Sequence, residues 1–328
     1  KVVITHDCLS LSHASDGGDP YHLYAKTTVS GDLHVTGVKY LGKSIRSILG
    51  YGNTGMIFDV KTGGSLYLKN IKLKNGNKFG PHQYGGAIKA NSATIHATNV
   101  VFHENYAYVG SAVWATASQL FFENVDFTNN VIKAFSGGEA EGGGIIRVES
   151  SSTLEYNGGI IANNVANNGV NSKKGAGISC YKSTCKLKNL SVRNNIGMLG
   201  SAIYQKIGTL KIENSIVENN GDDTLTENGG AIFLSGKDDD NTFPGFDTFI
   251  NQGTIVKGNK ARNDTGNGGA IYTYANGNLL LNNVAIKDNT ANTADYIFTD
   301  KDNDKEPTLN FLNVTFGVSA TPFGGSCS

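Results

Sequence analysis

Apolar and polar residues alternate with a period of two through most of the chain, in short runs separated by glycine and asparagine. Leu210 and Ile212, Leu279 and Leu281, and Val284 and Ile286 each flank a single residue. That spacing sends successive side chains to opposite faces of an extended strand. No window of this region carries the capped 3.6-residue pattern of an amphipathic helix. Gly and Asn between the runs accept the positive-φ corners at which a strand can turn sharply.

The runs recur in a fixed order. A Gly-x-[Ala/Gly]-[Ile/Val] motif ends at Ile88, Val113, Ile145, Ile178, Ile203, Ile232 and Ile271, at intervals of 25, 32, 33, 25, 29 and 39 residues. A second motif, Asn-apolar-x-apolar-x-x-Asn, follows at Asn99 to Asn105, Asn124 to Asn130, Asn189 to Asn195, Asn214 to Asn220 and Asn283 to Asn289. Looser copies run from Asn157 to Asn164 and from Asn251 to Asn259. The series opens around Asn70 and closes around Asn313. One repeat accommodates three strands of ~5 residues with their turns. The pattern predicts an all-β chain, a single-stranded right-handed parallel β-helix or solenoid. Its about nine to ten coils, rising ~4.8 Å each, would make a rod of ~45 Å. The repeats occupy 51–316. Residues 1–50 lack them and are expected to supply an N-terminal cap and the first strands, around Leu33-His34-Val35 and Ile45 to Leu49, after a turn cluster at Asp16 to Pro20. Residues 317–328 form a short C-terminal tail.

Coils stacked in register place equivalent residues above one another. Asn70, Asn99, Asn105, Asn124, Asn130, Asn189, Asn195, Asn214, Asn220, Asn283, Asn289 and Asn313 are therefore expected to form a structural ladder of side-chain amides.

Composition narrows the function. The 328 residues hold 28 basic and 28 acidic side chains, so there is no general electrostatic grip on nucleic acid or an anionic membrane. Charged residues make up only 17%, while Gly (42) and Asn (37) supply much of the polar surface. No apolar run approaches the ~18 residues of a membrane span. A first residue of Lys1 rather than Met leaves room for a removed leader. Three N-x-[Ser/Thr] sequons, at Asn189, Asn263 and Asn313, are close to chance in so Asn-rich a chain.

Four cysteines are present, without zinc-binding spacing. Cys180 and Cys185 lie across a predicted turn and suit a local disulfide of an extracellular protein. Cys8 and Cys327 fall at opposite ends of a ~45 Å rod, too far apart for a bond whose Cα atoms must lie within about 7 Å. Their partners would be other subunits, in a head-to-tail filament or sheath, unless a terminal tail folds back.

Catalysis on polysaccharides needs clustered carboxylates, or calcium-binding carboxylates beside a basic side chain. The strands offer few acids, scattered relative to the repeat; Arg147 with Glu149 and Glu155 is the least poor candidate, and a solvated outer face its simpler reading. Asp300, Asp302 and Asp304 have calcium-loop spacing, but Lys305 stands where Gly is wanted and Phe311 where the last carboxylate belongs. No cofactor motif is present. Tyr106, Tyr108 and Trp114 would make either a sugar-stacking shelf or corner packing. Two excursions, Ser235 to Asp247 and Thr299 to Pro307, interrupt the repeat and are expected on one face, where partners bind.

The paired Gly-Gly-Ala-Ile and Phe-x-x-Asn motifs, the latter literal at Phe102 to Asn105 and Phe127 to Asn130, resemble the repeat of polymorphic outer-membrane proteins and adhesin-like proteins of the pectin-lyase-like fold. The likeness covers about 56 to 316; no autotransporter-type barrel sequence follows Cys327. It implies a secreted or cell-surface structural or adhesive protein, self-associating or binding a glycan or host surface, and no enzyme. The alternative is a lyase or hydrolase of an acidic glycan.

Overall fold

The computed structural model describes residues 2–3, 11–12, 21–23, 27–36, 46–50, 55–78, 84–132, 143–166, 175–317 and 323–325. Among them every regular element is a strand. All pairings between strands are parallel except that of Leu11–Ser12 with Tyr21–Leu23. Most strands pile into three stacks that close into a ring, an arrangement compatible with a β-helix, and Asn77–Lys78, Tyr106–Ala107, Val131–Ile132 and Val165–Ala166 form a separate four-stranded parallel sheet.

The first stack runs through Phe58–Val60, Ile88–Asn91, Val113–Thr116 and Ile146–Glu149. It continues through the starts of Ile178–Arg193 and Ile203–Glu213, then Ile232–Ser235, Ile271–Tyr274 and Ile297–Asp300. The second begins with Asp32–Thr36, Ser65–Lys69, Thr94–Thr98 and Gln119–Glu123. Ile71–Lys74, Val101–His103 and Asp126–Thr128 belong to the third. Strands from the first fifty residues join these stacks, whereas Asp16 to Pro20 and Ile45 lie outside the described residues.

One motif copy is displaced. Val113 pairs with Ile146, not with the expected Ile145, and Ile146 pairs with Ile178. Ile145 instead occupies the place that Ala takes elsewhere: its carbonyl accepts from the Ala112 and Val113 amides. The physical reason is the interior row, which requires the aliphatic side chain one residue later.

Three aliphatic and aromatic rows fill the centre. Ile88, Val113, Ile146, Ile178, Ile203, Ile232, Ile271 and Ile297 are buried in the first stack. The third contributes Leu73, Phe102, Phe127, Ile161, Val192, Val217, Val256 and Ile286. Phe102 and Phe127 stack with centroids 4.6 Å apart. Burial of each such side chain stabilises by roughly 1.5–3 kcal/mol. The motif glycines let neighbouring backbones approach: a Cβ on Gly86 would run into the Ser111 and Tyr106 carbonyl oxygens.

The twelve asparagines of the expected ladder divide into two rows with different physics. Asn105, Asn130, Asn195, Asn220 and Asn289 are buried, and Asn164 and Asn259 complete their row. In this row each Oδ1 accepts both the backbone N–H and the Nδ2–H of the preceding rung. For Asn130 and Asn105 these bonds are 3.0 and 2.9 Å. Each Nδ2 also donates to a backbone carbonyl, as Asn195 does to Ile161 at 2.9 Å. Gly76 starts the row, its amide donating to Asn105 Oδ1. Every side-chain amide of the row thereby finds protein partners.

The other seven, Asn70, Asn99, Asn124, Asn189, Asn214, Asn283 and Asn313, have φ between 45° and 56°. They turn a corner in left-handed backbone, which Asn tolerates and β-branched residues do not. Some exchange side-chain bonds near the surface: Asn99 donates to Asn70, and Asn214 to Asn189, which donates to Asn157.

The two rows should respond oppositely to substitution. Asn195→Ala strands the Asn164 donors and the Ile161 carbonyl and is expected to cost about 3 kcal/mol, measured as a lower urea midpoint. Asn283→Gly should stay within about 0.5 kcal/mol, whereas Asn283→Val should cost about 1–2 kcal/mol in the same measurement.

Candidate functional site

Alternation that sends aliphatic side chains inward sends a second set outward, and register determines what they form. On the outside of the second stack, His34, Tyr67, His96 and Phe121 pair in succession. Their rings stack with centroids 4.3, 4.8 and 4.8 Å apart and planes within 13°. The strand spacing of ~4.8 Å matches the thickness of a stacked ring pair. Beyond Phe121 the outward row turns charged, with Glu155, Lys186 and Lys211 in register.

An open groove of about 550 Å³ lies where the ring row ends, bordered by His96, Phe121, Glu155, Lys186 and Lys211. Glu155 accepts from Lys186 Nζ at 2.8 Å, and Lys188 lies 3.6 Å from Glu213. Asn157 Nδ2 donates to Glu123 at 3.0 Å. Lys211 sits over the Phe249 ring, 5.5 Å from its centroid. Burial holds the His96 imidazole below the usual histidine range. His103 is lowered too, first by burial and then by the Lys72 charge; its Nδ1 lies 2.9 Å from Thr128 Oγ1.

The outside of the first stack is a different surface. Tyr204, Phe233, Tyr272 and Phe298 stack there with centroids 5.0–5.4 Å apart. The excursion Ser235 to Asp247 folds back across this side rather than projecting. The Tyr181 hydroxyl donates to Asp238 at 3.0 Å and to Asp239 at 2.7 Å. Lys182 pairs with Asp238, and Lys206 with Asp239. Lys237 pairs with Asp302, tying this excursion to Thr299 to Pro307. Tyr274 also donates to Asp302, at 2.6 Å; burial and this bond push its hydroxyl up to about 12.

These contacts spread the calcium-like aspartates apart. Asp300 accepts from Tyr272 at 2.7 Å, Asp302 takes Lys237 and Tyr274, and Asp304 is 3.8 Å from Lys301. Among the described residues no group of three His, Cys, Asp or Glu side chains is placed to hold a metal ion. Arg147, read from sequence as solvated, is 4% exposed. It donates to Glu149 at 2.8 Å and to Ser179 Oγ at 3.0 Å, and lies over Tyr181. Glu155 belongs to the second stack, so Arg147, Glu149 and Glu155 do not meet as one site. Tyr108 and Trp114 are buried with Val109 against Tyr84, the packing alternative to a shelf.

Cys180 and Cys185 form a disulfide inside the ring, across the corner between the first two stacks. Their counterparts one rung away are Val148 and Leu154. Cys8 and Cys327 lie outside the described residues. No helix among the described residues is long and apolar enough to cross a membrane, which says nothing about strands. No family model, curated protein or solved structure matches the chain.

Because both histidines have lowered pKa values, the unfolded chain binds more protons than the folded one just below the ordinary histidine pKa of about 6.5. Stability should be greatest above that pH and fall on acidification. His96→Phe keeps a ring in the row, so thermal midpoints at pH 7.5 and 5 should differ less in this variant than in the wild type. Replacing the disulfide by its neighbours' residues, Cys180→Val with Cys185→Leu, should cost at most about 2 kcal/mol. Cys180→Ser alone should cost more, because it breaks the bond and places a hydroxyl in the apolar interior; urea unfolding of both variants checks this.

Proposed function

We propose that the chain is a right-handed parallel β-helix of the pectin-lyase-like type, with about nine to ten coils, acting outside the cytoplasm as a structural or adhesive protein of a cell surface. The observation that carries this reading is the groove beside the ring row: a long, flat, in-register surface whose carboxylates are already engaged. Glu155 and Glu213 are paired with lysines, and Glu123 takes the Asn157 amide. A general acid and base facing one another across a substrate bond would require carboxylates free to reach it. Stacked rings and hydrogen-bonding side chains suit recognition instead. The Cys180–Cys185 disulfide supports an oxidising compartment. The repeat residues support the likeness to adhesin-like proteins.

The self-assembling form of this reading has its own support. Phe311, Leu312 and Phe323, on the last described strands, are 44%, 55% and 49% exposed. Exposed apolar side chains on strands whose far edge has no strand partner among the described residues favour capture of another strand-bearing surface.

The test is binding of purified protein to intact cells and to immobilised polysaccharides, with the supernatant assayed for new reducing ends and unsaturated uronates. Retention without either product is expected. Release of either product, abolished by Glu155→Gln, would overturn the non-enzymatic reading. Electron microscopy of the same sample separates single rods of ~45 Å from filaments.

A further inference from the structure

The ring row on the second stack is interrupted rather than ended. Phe121 is followed in register by Glu155, Lys186 and Lys211, and then by Phe249. His96 covers one face of Phe121, 4.8 Å away. Toward the other face the next rung offers Glu155, which carries no ring and is drawn to Lys186 at 2.8 Å. At a strand spacing of ~4.8 Å the Glu155 rung is a slot with no ring of its own, and Phe121 and Glu155 both line the groove of about 550 Å³. At the far side, Lys211 already occupies the face of Phe249.

Charge and bonding chemistry narrow what can enter. The groove carries Glu123, Glu155 and Glu213 against Lys186, Lys188 and Lys211, a balance of three and three. Two of these lysines are held by the glutamates. A polyanion would gain little net attraction and would have to displace existing pairs. A ring bearing hydroxyls can donate to a glutamate and accept from a lysine or Asn157 without disturbing that balance. Its C–H edge carries the slight positive charge that the negative face of Phe121 attracts.

We propose that this slot is a subsite for a neutral hexopyranose, which seats against Phe121 as the next member of the ring row and exchanges hydroxyl bonds with Glu155 and Lys186. The assignment rests on the adhesive reading and sharpens it from a glycan in general to an uncharged one.

Calorimetric titration with cellohexaose, maltohexaose, mannohexaose and hexagalacturonate tests it. At least one neutral oligomer should bind, with hexagalacturonate at least tenfold weaker, and its affinity should not change between 50 and 500 mM salt, roughly a threefold range in screening length. Phe121→Ala should weaken binding tenfold or more. Glu155→Phe fills the slot with the protein's own ring, so it should abolish binding while leaving the thermal midpoint no lower than that of wild type. Preference for hexagalacturonate, or neutral binding that survives Glu155→Phe, would overturn the subsite. Binding to cells with no affinity for any of the oligomers would also overturn it but would leave the adhesive reading standing; failure to bind either would remove both.

Discussion

The buried amide row constrains everything else in the molecule. Each asparagine accepts two bonds from one neighbour and gives two to the next, so no rung can shift alone without stranding polar groups in the interior. Between consecutive members the chain is as short as 25 and as long as 39 residues. The extra length must therefore leave the stack and return to the same point. Excursions such as Ser235 to Asp247 are the visible result: the coil grows outward while its corner stays fixed.

That rule also explains what could be read in the sequence and what could not. Period-two runs and the recurring Asn motif point directly to stacked parallel strands, because each repeat states the same local geometry. The Phe-x-x-Asn spacing, followed strictly through Ile161 and Val256, leads to Asn164 and Asn259. Counting all motif asparagines as one ladder merged two positions that differ in backbone conformation, one buried and one in the left-handed region. The Ile145 assignment failed for a similar reason: a run of glycines followed by two isoleucines has no unique register until neighbouring strands choose it.

The surface was less legible. Tyr67, His96 and Phe121 sit in unrelated local sequences, and only pairing across 25 to 29 residues makes them neighbours. Burial of Arg147 beneath aromatic and polar partners likewise depends on contacts between coils. The aspartates of the second excursion looked like a local cluster, yet each has partners of its own: Tyr272 for Asp300, Tyr274 and Lys237 for Asp302, Lys301 for Asp304. Short-range spacing describes a corner well and a lateral surface poorly, because the lateral surface is assembled from residues a full coil apart.

The two sides of the ring are thus chemically distinct. One is an accessible strip of rings and balanced charges; the other is strapped by excursions tied through Lys237 and Asp302. A partner approaching the first finds preformed geometry, since the stacked strands beneath it leave little freedom to rearrange.

The amide row has one more property. From Gly76 to Asn289 every carboxamide points the same way, its oxygen toward one terminus of the row and its N–H toward the other. Their dipoles add along the axis, so the row has an electrical head and tail. Two such bodies laid end to end in the same sense would reinforce one another, whereas meeting head to head would set like poles together; vectorial order is written into the turn that holds each coil in place.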